Sequence, residues 1–194
     1  MGQVNSPKEL FVHELQDIYY AEKVLTKVLP KLAEEATDTE LSRAFTSHLK
    51  ETEKHVANLE KVFEQLGERP KAEPCPGIEG IKQEHDEFVE EQNGNAQILD
   101  MFLTGAAART EHYEIAGYTG LVGKARALGE REAVDLLQQN LKQEKEALKK
   151  VESISKRMLD DVKGSSGQKR SGTRKTTRSS GSSRARTSAT RSRR

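Results

Sequence analysis

The sequence contains no tryptophan, a single cysteine and no long hydrophobic run. Only 34% of its 194 residues are hydrophobic and 32% are charged, so any folded core must be thin. No segment approaches the roughly 18 consecutive apolar residues that a transmembrane helix requires, and we therefore expect no membrane span. The lone Cys75 cannot form an internal disulfide, and its neighbours Pro74 and Pro76 indicate a loop thiol in a reducing compartment.

The beginning of the chain has no basic-then-apolar signal pattern. Instead, the run Ser6-Pro7-Lys8-Glu9 is typical of the cap and first turn of a helix. Together with the cysteine usage, this pattern predicts a cytoplasmic protein.

The formal net charge of +1 conceals two regions of opposite sign. From Gly164 to Arg194 there are ten basic residues and no acidic one, which leaves 22 basic and 31 acidic residues earlier in the chain, a net charge of −9. The basic segment is rich in Ser, Thr and Gly and cannot bury enough apolar surface to offset its chain entropy. We therefore expect a folded domain over residues 1–163 and a disordered basic tail over residues 164–194.

The basic residues of the tail alternate with small polar residues and are not accompanied by aromatic ones, which favours phosphate contacts over base stacking. The candidate nucleic-acid-binding residues are Lys169, Arg170, Arg174, Lys175, Arg178, Arg184, Arg186, Arg191, Arg193 and Arg194. This composition predicts non-specific DNA binding and a nucleoid-associated location. RNA, another anionic partner, the membrane surface and the protein's own acidic domain are the alternatives.

Hydrophobic residues recur at the helical period of 3.6, and alternating β-branched runs typical of strands are absent. The pattern predicts an all-α protein with helices over residues 7–36, 39–67, 78–91, 95–128 and 130–162. Short turns pair the long helices into two antiparallel hairpins, and a long crossover, residues 68–94, joins the hairpins. Two hairpins joined by one long crossover is the connectivity of ferritin-like antiparallel four-helix bundles.

The two hairpins also resemble each other in sequence. A shift of 92 residues places Glu22 on Glu114 and Leu29 on Leu121. One offset aligns both helices of each hairpin, which predicts an internal pseudo-two-fold axis. Chance similarity between two amphipathic hairpins of equal length is the alternative.

Acidic and histidine residues interrupt the apolar stripes near the middle of the long helices. Burying a lone carboxylate is costly unless it is paired or binds a metal. Glu22 and Glu51 lie equally far from one predicted turn, and Glu114 and Glu144 equally far from the other, so the four carboxylates should meet in one layer. The predicted metal ligands are Glu22, His48, Glu51, Glu111, Glu114, Glu144 and His55.

Four of these candidates also have an explanation without a metal. Glu111 and Glu114 would form a buried salt bridge with Arg109 or Lys124. Either histidine of the layer would be a core residue hydrogen-bonded across the bundle.

Three segments carry a resemblance to a known family. Residues 10–23, residues 48–52 (His-Leu-Lys-Glu-Thr) and residues 111–116 (Glu-His-Tyr-Glu-Ile-Ala) with Tyr118 resemble the YciE/YciF-type family of bacterial stress-induced ferritin-like proteins. The resemblance covers residues 5–162. It implies a four-helix bundle similar to rubrerythrin and the ferritins, a homodimer and a dimetal centre.

The sequence departs from the usual ferritin-like ligand pattern. Di-iron sites of this fold generally carry Glu-x-x-His on two of the four helices. Here the second helix has His48 three residues before Glu51, and the last helix has Ala147 and Leu148 where the histidine is expected. A site rich in carboxylates and poor in nitrogen favours a harder ion such as Mn²⁺ and leaves the enzymatic activity open.

Two functions are compatible with this pattern. In the first, two iron or manganese ions bridged by Glu51, Glu114 and Glu144 deliver electrons to peroxide or dioxygen, so the small substrate is an oxidant or the metal itself. In the second, the protein is a non-enzymatic dimeric stress scaffold or a DNA-associated protein whose bundle has no redox turnover. The metal content of the purified protein distinguishes them.

Overall fold

The computed structural model describes residues 4–91 and 94–171, and these residues form five helices and no strand. The helices are α1 (Pro7–Glu35), α2 (Thr39–Gln65), α3 (Pro76–Glu91), α4 (Ala96–Leu128) and α5 (Arg131–Ser171). Helices α1, α2, α4 and α5 form an antiparallel four-helix bundle, and α3 lies in the crossover between its two hairpins. The predicted ferritin-like fold class is confirmed.

Capping side chains explain where the helices begin. Ser6, Asp38 and Asn95 each accept a hydrogen bond from backbone N–H groups in the first turn of the helix that follows them. At the other ends, Gly67 and Gly129 adopt φ values of +72° and +79° just after α2 and α4. Glycine takes this left-handed conformation without strain, which stops a helix and turns the chain.

Two apolar clusters fill the bundle, and each takes residues from all four of its helices. The first cluster includes Phe11, Leu59, Leu121 and Leu137. The second cluster includes Leu29, Phe45, Leu103 and Val151. Among the described residues, no helix has an apolar stretch long enough to cross a membrane, as the sequence predicted.

The predicted internal repeat can be compared with this packing. Leu29 of the second cluster matches Leu121 of the first under the offset of 92, and Leu59 of the first cluster matches Val151 of the second. A two-fold axis across the middle of the bundle would exchange the clusters in this way, and so would the antiparallel direction of the helices by itself. The internal repeat therefore stays a prediction.

Helix α5 runs further than the sequence suggested. Its backbone is helical to Ser171, beyond the helix end predicted at Val162 and the domain boundary predicted at residue 163. Adding a residue to an existing helix gains a hydrogen bond without a new nucleation step, which favours such an extension. Lys169 and Arg170 fall within α5, whereas the other eight candidate nucleic-acid-binding residues lie outside the described residues.

Cys75 lies in the crossover, as predicted, but it is not an isolated loop thiol. Its side chain is 4% exposed and packs in the second apolar cluster, with Sγ 2.6 Å from the Tyr113 hydroxyl oxygen. The sequence could not predict this contact, because it depends on how the crossover packs against α4.

A buried carboxylate connects the α1–α2 turn to α4. Asp100 is 6% exposed, and it accepts hydrogen bonds from the backbone N–H groups of Thr37 at 2.8 Å and Asp38 at 3.0 Å. The Thr37 hydroxyl donates a third bond at 2.5 Å. The turn therefore depends on one side chain from the opposite hairpin.

We predict that Asp100→Ala lowers the free energy of unfolding by about 2–3 kcal/mol, because it removes three hydrogen bonds that a buried carboxylate accepts from the α1–α2 turn. Urea denaturation of the full-length protein measures the loss. The exposed Asp135 on α5 offers the matched control, since Asp135→Ala should stay within about 0.5 kcal/mol of the parent. Equal effects of the two substitutions would show that the contact contributes nothing.

Candidate metal centre

A polar layer lies between the two apolar clusters at the middle of the bundle. Six of the seven predicted ligands meet there, and each is at most 7% exposed: Glu22, His48, His55, Glu111, Glu114 and Glu144. Every helix of the bundle contributes at least one of them. The seventh, Glu51, lies at the edge of the layer with its side chain 34% exposed.

The ligand atoms of the layer form two groups that share one residue. In the first group, single ligand atoms of His48, Glu111, Glu114 and Glu144 all lie within 4.8 Å of one another. His48 Nε2 is 3.4 Å from Glu111 Oε1 and 3.5 Å from Glu144 Oε2.

The second group consists of Glu22, His55 and Glu144. His55 Nδ1 lies 3.2 Å from Glu22 Oε1 and 2.8 Å from Glu144 Oε1. The two oxygens of Glu144 thus face different histidines, Oε2 toward His48 and Oε1 toward His55. This is the arrangement of a carboxylate placed to bridge two cations.

Many polar atoms of the layer lack internal partners. Across the described residues, nine buried side-chain nitrogen and oxygen atoms have no hydrogen-bond partner while the histidines are neutral, and all nine lie in this layer. They belong to Glu22, His48, Thr52, His55, Glu111, Glu114 and Glu144. A protonated His55 would donate from Nδ1 to Glu144 Oε1 at 2.8 Å, which still leaves both oxygens of Glu114 without a partner. Buried polar groups are normally paired, and each orphan costs about 1–3 kcal/mol. Carboxylate oxygens and imidazole nitrogens are ligands for iron, manganese and zinc, so this donor set fits bound cations.

The salt-bridge explanation for the buried carboxylates is wrong. Arg109 pairs instead with Glu84 at 3.1 Å, and Lys124 pairs with Glu14 at 2.6 Å. Neither pair includes a carboxylate of the layer, and both basic side chains are partly exposed, 45% for Arg109 and 28% for Lys124.

Neighbouring side chains orient the two histidines. His55 Nε2 lies 3.0 Å from Gln143 Oε1, and when the ring is neutral an N–H donated there leaves Nδ1 as the acceptor that faces the layer. His48 Nδ1 lies 3.4 Å from Glu51 Oε2, which turns Nε2 inward in the same way. Glu51 is therefore placed to orient His48 from the edge of the layer.

Three residues next to the layer are functional candidates that the sequence did not indicate. The Tyr118 hydroxyl donates a hydrogen bond to Glu22 Oε1. Asn140 is completely buried and donates to the Tyr118 oxygen at 3.1 Å and to the backbone carbonyl of His55 at 3.3 Å. The third is Gln143. The offset of 92 places His48 on Asn140, which is the signal that could have identified this position.

The side chains of the layer strongly perturb one another's protonation. Burial raises the pKa values of Glu111 and Glu114 well above the ordinary range, and the charge of Glu144 raises both further. Burial alone would lower the histidine pKa values. Hydrogen bonds and charges from neighbouring carboxylates nevertheless raise the pKa of His48 to about 9 and that of His55 to about 10. Without a metal, the folded layer therefore retains protons.

Comparison with known proteins places this geometry in context. The profile of a family described as a domain of unknown function (DUF892) matches residues 6–162. The chain is 39% identical over 139 residues to the protein YciF of Escherichia coli strain K12, an alignment that covers 71% of this chain and 83% of that protein.

Two solved structures have a fold similar to that of this chain. The crystal structure of the E. coli stress protein YciF matches with a TM-score of 0.77 at 35% identity and covers 81% of this chain and 99% of that one. The structure of YcfI from Rhodopseudomonas palustris matches with a TM-score of 0.75 at 41% identity and covers 77% of this chain and 95% of that one.

We predict that the metal-free protein loses stability as the pH rises from 6.5 to 10. Unfolded histidines lose their protons near pH 6.5, whereas folded His48 and His55 hold theirs to about pH 9 and 10, so their stabilisation is complete below pH 6.5 and is lost through this window. The raised pKa values of Glu111 and Glu114 act in the same direction. Each proton held only by the folded state costs about 1.4 kcal/mol per pH unit.

Urea denaturation of the metal-free full-length protein at several pH values measures this slope. His55→Gln should flatten it, whereas His112→Gln, at an exposed position on α4, should leave it as in the parent. A metal-free protein that is as stable at pH 9 as at pH 6.5 would contradict the prediction.

Proposed function

The chain belongs to the YciE/YciF-type family of ferritin-like proteins, defined by the domain described as DUF892, and we propose that it is a stress-response protein built around a two-metal centre. The observation that carries this proposal is the polar layer with its nine buried atoms that lack a hydrogen-bond partner. Glu144 belongs to both ligand groups of this layer. The stress role is proposed by analogy with the E. coli stress protein YciF.

In this proposal Glu144 would help to hold both of two iron or manganese ions. Glu111, Glu114 and His48 would hold one of them, and Glu22 and His55 the other. Glu51 binds as a further ligand or orients His48. When bound, two such ions would each give one electron to a peroxide, which would take up two protons and leave as water plus an alcohol or a second water, and an external electron donor would return the two electrons.

The surrounding side chains hold this centre in a fixed geometry. Gln143 fixes the tautomer of His55, and Asn140 positions the Tyr118 hydroxyl on Glu22. The apolar clusters on both sides keep Glu22, Glu114 and Glu144 fully buried, which strengthens their electrostatic interactions. Handling of peroxide, dioxygen or iron itself is the reaction class that this arrangement serves.

The basic tail is assigned a separate role. Its ten cations and its lack of aromatic residues support non-specific binding to nucleic acid. We propose a cytoplasmic homodimer that uses two tails to associate with DNA in the nucleoid, since a pair of linked tails binds more tightly than one. Light scattering of the full-length protein tests the dimer directly.

We predict that Glu114→Ala and Glu144→Ala each abolish metal loading, because each removes a ligand of the first group and Glu144 also serves the second. After anaerobic reconstitution with Fe²⁺ or Mn²⁺, the parent should retain about two ions per chain and the variants less than roughly half an ion by elemental analysis. Glu152→Ala, at an exposed position of the same helix as Glu144, should load like the parent.

The metal proposal fails if both variants bind as much metal as the parent. It also fails if the parent itself retains less than roughly half an ion per chain. The second outcome would favour the scaffold function, in which the bundle has no redox turnover.

We predict that removal of residues 172–194 abolishes DNA binding without affecting metal content. This truncation keeps α5 whole and removes eight of the ten tail cations. The full-length protein should retard DNA in gels at about 50 mM salt, and its affinity should fall with salt with a logarithmic slope of up to about −9 for ten neutralised phosphates. Retardation by the truncated protein, or none by the full chain, would refute the tail's role.

A further inference from the structure

A cavity adjoins the polar layer on one side. Its volume is about 110 Å³, and side chains from all four bundle helices line it. Its walls are mainly apolar and include Leu25 and Leu29 of α1, Phe45 of α2, Ala107 of α4 and Val151 of α5. An apolar cavity of roughly this size accepts a small hydrocarbon, since one of about 150 Å³ binds benzene.

The polar residues that line this cavity include both buried and exposed side chains. Its lining includes His48 and Glu111, which are 7% and 4% exposed, and His48 Nε2 and Glu111 Oε2 are among the orphaned buried atoms. Its lining also includes Glu146 and Lys150, both of which are exposed. The cavity therefore leads from solvent, past apolar walls, to polar atoms of the candidate metal centre.

A small side chain of α5 borders this cavity. The offset of 92 pairs Ala147, which lines the cavity, with His55. Ala147 therefore has only a methyl group where the other hairpin carries an imidazole ring. Ala147 also stands three residues after Glu144, where a ferritin-like site usually carries a histidine.

We propose that this cavity binds short-chain alkyl hydroperoxides and the alcohols of the same carbon skeleton. The alkyl body lies against the apolar walls and the oxygen head reaches toward His48 and Glu111. An alkyl hydroperoxide suits this cavity better than hydrogen peroxide, because its alkyl group buries the apolar surface of the cavity walls. Its oxygen head still donates and accepts hydrogen bonds. The choice of a peroxide rests on the proposed function, whereas the binding of an apolar body rests on the cavity.

A non-reacting probe tests the binding without any turnover. tert-Butanol is titrated into full-length, metal-free protein whose Ala, Leu and Val methyl groups are labelled for NMR. Saturable shifts are expected at Ala107, Ala147 and Val151, and none at Ala133, which is buried in the first apolar cluster away from the cavity. Glycerol, which has a polar body, should produce no saturable shift.

Filling the cavity should remove this binding. Ala147→Leu is expected to weaken tert-butanol binding by at least about tenfold, because the larger side chain occupies the open volume. Ala116→Leu, at an exposed position on α4, is the matched control and should keep the parent's affinity. Circular dichroism checks that the variants fold, and Ala147→Val replaces Ala147→Leu if the larger side chain is not tolerated. Non-saturable shifts, or equal affinity in the parent and the filled variant, would overturn the proposal.

Peroxide consumption by metal-loaded protein, with ascorbate supplied as the electron donor, separates this proposal from the proposed function. The ratio of kcat/KM for tert-butyl hydroperoxide to that for hydrogen peroxide should fall about tenfold in Ala147→Leu, because only the larger substrate needs the cavity. If neither peroxide is consumed but tert-butanol still binds at Ala147, the peroxide function fails and the binding site stands. If peroxides are consumed and the ratio does not change, the cavity does not select the substrate and the proposal is wrong.

Discussion

The desolvation of carboxylates at the centre of the bundle is the constraint on which the rest of the structure depends. Glu22, Glu114 and Glu144 are fully buried between two apolar clusters, where each ionised carboxylate loses several kcal/mol of hydration. Protons can compensate only in part, because two histidines in the same layer favour the ionised form of their neighbours. A pair of cations would resolve the conflict, since positive charge at the centre stabilises every carboxylate there and satisfies the orphaned atoms.

The two hairpins differ in sequence at positions in and next to this buried layer. A perfect two-fold repeat would place identical ligands in both halves, but His48 is matched by Asn140 and His55 by Ala147. Asn140 and Tyr118 of the second hairpin form a hydrogen-bonded network around Glu22 and His55 of the first. Two turns after Asn140 on the same helix, the small Ala147 borders a cavity beside the ligands. The second hairpin thus contributes both the network that orients the ligands and a small residue beside the cavity.

Much of the site could be predicted from spacing alone. Glu114 and Glu144 lie equally far from a turn at Gly129, so an antiparallel hairpin must bring them to one level. The length of the fourth bundle helix was less predictable, because the small polar residues after Val162 favour coil while helix propagation favours extension. The partners of Arg109 and Lys124 were also ambiguous, because an arginine or lysine near a carboxylate in sequence can turn either toward it or toward solvent.

The sequence by itself determined the helices, their pairing and the residues that interrupt their apolar faces, because periodicity and turn spacing are local properties of the chain. Only the tertiary structure decided that one oxygen of Glu144 faces His48 and the other faces His55. It also decided that Cys75 packs beside Tyr113 and that Ala147 borders a cavity. These features arise from contacts between side chains on different elements. Their distances depend on how the helices rotate and pack against one another, which no spacing within a single helix specifies.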